Sequence, residues 1–226
     1  MTTRVAGQPI RQSGRFVLEA IDRTTECITS EISFDVDDTS ELYRMIGADV
    51  AEVDSGAEYE LQVHEVDQLK ARYKITFEPG SNALWLRRWH QLDDLPYKMH
   101  TGRELALMLD GSKPLAYFSD QYPATPEIKE SLERLFDPYV DQRRFVKREC
   151  VTSALGRSTR IVMYALPNQE WRINAMILLL ETAAKSGWNE RFERMQGSLL
   201  GYEDWQNDTF IEKIYRPSRQ QESEES

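Results

Sequence analysis

An α+β fold is predicted for this chain, and three features of the sequence carry the prediction. Phe16 to Ile21 has the two-residue apolar period of a strand, and Arg160 to Leu166 reads as a strand apolar on both faces, Ile161, Met163 and Ala165 against Val162, Tyr164 and Leu166. Trp171 to Gly187 has the broad apolar stripe of a helix. Between such segments stand cap and turn residues that divide the chain into short elements. The expected arrangement is an N-terminal mixed sheet with packed helices, then a β-hairpin leading into a C-terminal helical cluster.

The first element reads as a hairpin, Phe16 to Ile21 paired with Ile28 to Val36, with Asp22-Arg23-Thr24-Thr25 as its polar turn. Asp38-Thr39-Ser40-Glu41 caps a short helix that ends at Gly47. Tyr59 and Leu61 open a strand that feeds a helix over Val63 to Tyr73. Pro79-Gly80-Ser81-Asn82 is a turn, and Ala83 to Trp89 is apolar on both faces, so this strand belongs inside a sheet. Thr101-x-x-Glu104 has the form of a capping box and sets a helix over Gly102 to Asp110, closed by Gly111.

Pro114 to Ser119 reads as a buried strand, and Thr125-Pro126 starts a helix that Pro138 closes. Arg143 to Thr152 and Arg160 to Leu166 form a second hairpin about a Gly156 turn. Asn168 caps the longest helix, with Trp171, Ala175, Met176, Leu179 and Ala183 as its apolar stripe. Two shorter helices follow, near Asn189 to Gln196 and Glu203 to Tyr215.

Four regions follow from this order: a flexible stretch 1–14, an α+β half 15–122, a hairpin-plus-helix half 123–215, and a disordered acidic tail 216–226. The proline-rich segment around Asp120 to Thr125 is the expected seam, with one continuous fold as the alternative.

Composition narrows the function. The chain has 226 residues, 40% hydrophobic and 29% charged, which is enough for a core without staples. A formal charge of -10 repels phosphate backbones, so nucleic acid is disfavoured as a partner. Two cysteines, Cys27 and Cys150, make no disulfide framework, and a soluble, cytoplasmic protein is expected. No signal peptide is legible in the polar first residues. The longest apolar run, Ala175 to Leu180, is far short of the ~20 residues of a membrane span.

No nucleophile elbow, phosphate loop or dinucleotide fingerprint is present, so no cofactor is assigned. The densest group of chemically able side chains lies between Arg87 and Tyr122. Within it, His100 is a candidate acid or base and Arg103 a candidate clamp for a small anionic ligand, with Asp120 and Tyr122 assisting. That reading requires all four to line one pocket. His90, His100 and Asp93 or Asp94 match no compact metal-ligand spacing, and no metal is assigned.

Arg143, Arg144, Lys147, Arg148, Arg157 and Arg160 form a basic island, either a patch for an anionic partner or an internally salt-bridged sheet face. Trp188 and Trp205, near helix ends, are candidate anchors for a protein partner or a homo-oligomer contact, while Trp171 and Phe210 are expected in the core. The leading expectation is a non-enzymatic interaction or regulatory protein; a small-molecule enzyme or binding protein with a pocket at His100 is the alternative.

Overall fold

A computed structural model of the chain describes residues 13–48, 58–78, 80–154 and 157–224. It has an α+β fold that divides into two compact units, Met1–Asp93 and Asp94–Ser226. The seam expected near Asp120 therefore falls inside the second unit. Most of the stretch 1–14, and the turn at Gly156, lie outside the described residues.

In the first unit, β1 (Gly14–Ile21), β2 (Ile28–Val36), β3 (Tyr59–Leu61) and β4 (Ala83–Arg88) form a sheet of order β2-β1-β4-β3. Each of these pairings is antiparallel, so the sheet is not mixed. The doubly apolar β4 is an interior strand, as its sequence predicts. Asp22 Oδ1 fixes the first turn by accepting from the Thr25 amide at 2.7 Å, the Thr25 hydroxyl at 2.9 Å and the Thr24 amide at 3.0 Å.

Phe16, Leu18 and Ala20 alternate to one face of β1, where Leu84 and Leu86 of β4 join them in the core. Helices α1 (Thr39–Met45) and α2 (Val63–Tyr73) bury Leu42, Tyr43, Val66 and Leu69 in the same cluster. Glu19 points the other way yet is buried. Arg87 compensates it with an Nε bond of 2.8 Å, and its two terminal nitrogens each reach Asp93 at 2.8 Å.

In the second unit, α3 is Glu104–Leu109, β5 is Leu115–Gln121 and α4 is Pro126–Asp141. Strands β6 (Val146–Ala154) and β7 (Arg157–Ala165) complete an antiparallel sheet of order β5-β7-β6. Helices α5 (Trp171–Ser186), α6 (Glu190–Leu200) and α7 (Asp204–Phe210) follow, and a π-helical turn, Ile211–Tyr215, leads into α8 (Arg216–Glu224).

Central strand β7 explains its own unbroken apolar run. Ile161, Met163 and Ala165 pack with Ile173, Met176 and Leu179 of α5, while Tyr164 stacks on Phe136 of α4 at 4.7 Å on the alternate face. Both faces of the strand are covered.

Several expected boundaries move. Gly102 takes φ 70°, a left-handed conformation that no helix interior accepts, so α3 begins at Glu104 and the Thr101 cap does not form. Helix α4 runs through Pro138 to Asp141. Pro138 removes one backbone donor, and side-chain contacts hold the helix beside it: Phe136 on Tyr164, and Asp137 accepting from Tyr164 at 2.9 Å and Lys147 at 2.8 Å. Asn168, at φ 66°, is a left-handed turn residue ahead of α5 rather than its cap.

The segment expected as a disordered tail is helical over Arg216–Glu224, anchored by two 3.0 Å bonds from Arg216 to Glu190. Trp171 is 54% exposed, because the stripe that α5 buries is Ile173, Met176, Leu179 and Ala183, and Trp171 lies well around the helix from it.

Candidate functional site

Within the second unit, the loop Leu95–Arg103, Lys113, β5 and helices α6 and α7 line a half-open cavity of about 250 Å³. Its wall is aromatic where Tyr97, Tyr117, Tyr202 and Phe210 stand, and polar at His100, Glu104, Lys113, Glu193 and Asn207. Close packing makes the wall. A side-chain carbon on Gly197 of α6 would collide with the buried Asn207 of α7, and one on Gly201, at φ 96°, would collide with Pro114. Glycine at these two positions brings α7 and the Lys113 turn against the cavity.

The chemical centre is Lys113, 3% exposed. Gly111, at φ 86°, turns the chain after α3, and the Lys113 amide donates to the Leu107 carbonyl at 2.9 Å, which fixes the residue just before β5. Its Nζ lies 3.1 Å from His100 Nδ1 and 5.8 Å from the centre of the Tyr202 ring. An ammonium has donors and no acceptor, so Nδ1 is the accepting nitrogen and the imidazole hydrogen sits on Nε2.

His100 is itself held in place. Its ring stacks on Tyr202 at 4.0 Å and 13°, and its backbone amide donates to the Tyr202 hydroxyl at 2.9 Å. Tyr97 lies 6.0 Å from Tyr202 and donates its own hydroxyl to the Gln206 carbonyl at 3.0 Å.

Burial sets the protonation states. It lowers Lys113 to about 8, against the pull of Glu104, and it lowers His100 to about 4, helped by the Lys113 charge. Burial also raises the Glu104 carboxyl and lifts Tyr202 to about 12. At neutral pH the group therefore contains a neutral imidazole, a cationic lysine that loses its proton within about a unit of working pH, and a carboxyl drawn toward neutrality. Such a set can present a hydrogen-bond donor, an amine nucleophile or a proton to a ligand in the cavity.

Of the four residues expected to converge, His100 alone lines this cavity. Arg103 is outside the wall; its amide donates to the His100 carbonyl at 2.9 Å and to Glu104 at 3.1 Å. Asp120 faces Arg160 at 3.5 Å, and Tyr122 is 49% exposed beyond the end of β5. The four residues thus do not line this cavity together, and the cation that does is Lys113, its Nζ 3.1 Å from His100 Nδ1. With a folded pKa near 4, His100 is an acceptor at neutral pH rather than an acid. In the sequence, Lys113 offered only its place between Gly111 and Pro114, a turn where lysine is ordinarily solvated.

The basic island divides. Arg160, 2% exposed, binds Glu149 at 2.8 and 2.9 Å and Glu133 at 3.1 Å, while Lys147 bridges Glu133 and Asp137. Arg144 donates to the Leu109 carbonyl at 3.2 Å, and Arg143 and Arg148 are exposed. The Arg157 side chain lies outside the described residues. These basic side chains therefore do not share one exposed face, because β7 turns Arg160 inward among carboxylates.

Trp188 is half-buried, its Nε1 donating to Glu193 at 2.6 Å, and Trp205, 46% exposed, packs edge-on to Tyr97 at 5.3 Å. Phe210, expected in the core, is half-buried in the cavity wall. Asp93, weighed as a metal ligand, is committed to Arg87 and the His90 amide. Among the described residues no cluster of three or more metal-ligating side chains occurs, and no helix is long and apolar enough to cross a membrane. Compared with protein-family models, curated proteins and solved structures, the chain finds no match.

Proposed function

We propose that the unit Asp94–Ser226 binds a small, partly aromatic or apolar molecule in this cavity and seats an acceptor group of that molecule at Lys113 Nζ. The observation that carries the reading is the burial of Lys113 against a neutral imidazole. A shift from the ordinary 10.5 to about 8 corresponds to roughly 3 kcal/mol spent holding the charge at neutral pH. Typical domains are stable by about 5–15 kcal/mol in all, so this is a large share for a group that packing alone would replace by methionine. The aromatic wall supports a ligand with planar or apolar area, and a volume of about 250 Å³ limits it to a compact one. The π-helical turn directly after Phe210 fits the same reading, since such turns recur beside functional sites.

The test is ligand-observed NMR with a panel of small aromatic and aliphatic carboxylates, ketones and aldehydes, on the wild type and Lys113→Met. Mutually competing hits whose affinity drops at least tenfold in the variant, with its fold intact, support the proposal. Hits that bind both proteins equally, or no saturable binder in the panel, count against it.

A docking role remains a second proposal, favoured by the faces of α5 and α6 that present Trp171, Leu178 and Met195, 54%, 65% and 52% exposed. Trp171 and Leu178 are seven residues apart and share one helical face. A homo-oligomer through that face would appear as concentration-dependent sedimentation, abolished by Leu178→Glu. The two free thiols, Cys27 and Cys150, suit a reducing, cytoplasmic setting for either proposal.

A further inference from the structure

We infer that Lys113 is an imine-forming amine, and that the cavity ligand is a small aldehyde or ketone whose carbonyl carbon is placed at Nζ beside His100 Nδ1. The inference rests on the cavity reading above and adds the reacting group. Its basis is geometric: Lys113 is buried, it lines a cavity with room for a ligand, and its Nζ lies 3.1 Å from His100 Nδ1. A lysine kept only for charge would more simply sit against a carboxylate, as Lys147 does against Asp137 at 2.8 Å. Lys113 instead donates to an uncharged acceptor, which leaves it easier to deprotonate.

The reaction balances without a redox partner. Lys113 gives one proton to solvent, and the neutral amine adds to the carbonyl carbon. The new C–N bond forms as the C=O π pair moves to oxygen. The nitrogen loses a proton to solvent and that oxygen takes one from solvent, which gives a carbinolamine, while His100 Nδ1 orients the nitrogen. Glu104, whose carboxyl pKa burial raises, supplies a proton to the departing oxygen, which leaves as water while the nitrogen lone pair forms C=N; the remaining nitrogen proton then returns to the Glu104 carboxylate and leaves the neutral imine. The net change is one aldehyde or ketone plus one amine to one imine plus water.

The titratable groups lining the cavity agree with this. His100 comes from the loop before α3, Glu104 from α3, Tyr117 from β5, Glu193 from α6, and Tyr202 from the segment before α7. Burial raises Tyr117 and lifts Tyr202 to about 12, so both phenols stay neutral, and Glu193 is bound to Trp188. Lys113 is the amine that loses its proton near pH 8.

The experiment treats the full chain with benzaldehyde and sodium cyanoborohydride and locates benzylated lysines by peptide mass spectrometry, from pH 6 to 10. The expected result is labelling of Lys113 at least tenfold faster than of any other lysine, half-maximal near pH 8 and absent from Lys113→Arg. In His100→Phe, which removes the acceptor and so destabilises the ammonium, the midpoint moves below that of the wild type. His100 is thus tested as a positioning residue. Labels on exposed lysines with Lys113 untouched overturn the proposal. Benzyl alcohol, which cannot form an imine, is titrated in parallel by NMR: saturable binding that Lys113→Met weakens, without Lys113 labelling, overturns the imine and leaves the cavity reading standing. Neither binding nor labelling overturns both.

Discussion

At pH 7 the Lys113 ammonium and the His100 imidazole form a pair in which each group's protonation opposes its burial. For His100 the folded pKa, about 4, lies below the ordinary 6.5. As pH falls through that interval the unfolded chain takes up a proton that the folded chain refuses, and stability drops by up to about 3 kcal/mol. Lys113 is likewise depressed, so its unfolded form binds more protons between pH 8 and 10.5 and stability rises with pH there. Tyr202, raised to about 12, acts with the opposite sign above pH 10, where the unfolded phenol ionises first. Urea denaturation against pH should therefore show a declining limb from 6.5 to 4 that flattens in His100→Phe, and a rise from 8 to 10 that disappears in Lys113→Met. Gly197→Ala forces Asn207 from its bonds to Ser198 and the Tyr202 carbonyl, with an expected loss of about 1–3 kcal/mol and weakened ligand binding in the same NMR titration.

Among the elements, β1 and β4 carry the clearest ionic dependence. Arg87 pairs with the buried Glu19 and also holds Asp93, whose carboxyl burial would raise but Arg87 and the His90 amide bring below the usual range. Arg87→Met strands Glu19 inside the sheet and should cost about 3–5 kcal/mol, read as a lower denaturation midpoint, while Glu19→Gln with Arg87 retained should cost less. The elements also mark where local signals give way. Both hairpins, α2 and interior β4 were legible, since turn chemistry and apolar period act over a few residues. Pro138 and the polar run after Arg216 read as ends, yet helix continues past both because Asp137, Phe136 and Arg216 find partners distant in sequence. The basic island read as an open alternative, and it splits: Arg160 and Lys147 pair inward with Glu133, Asp137 and Glu149, while Arg143, Arg144 and Arg148 are exposed.

For the whole molecule, the division at Asp93 and Asp94 gives each unit its own sheet and its own buried cluster. A fragment spanning 94–226 should fold by itself, with a cooperative thermal transition by circular dichroism and the same fragment-binding profile as the full chain. A fragment that stays unfolded would refute this. Sequence by itself determined the α+β class and most elements, because these follow from periodicity, caps and residue chemistry within short windows. The tertiary structure decided that the cation beside His100 is Lys113 rather than Arg103, that Asp120 and Tyr122 lie elsewhere, and that the seam precedes Asp94. Each depends on which distant side chains close around a position, since burial is what shifts a lysine's charge and commits an arginine to a neighbouring carboxylate.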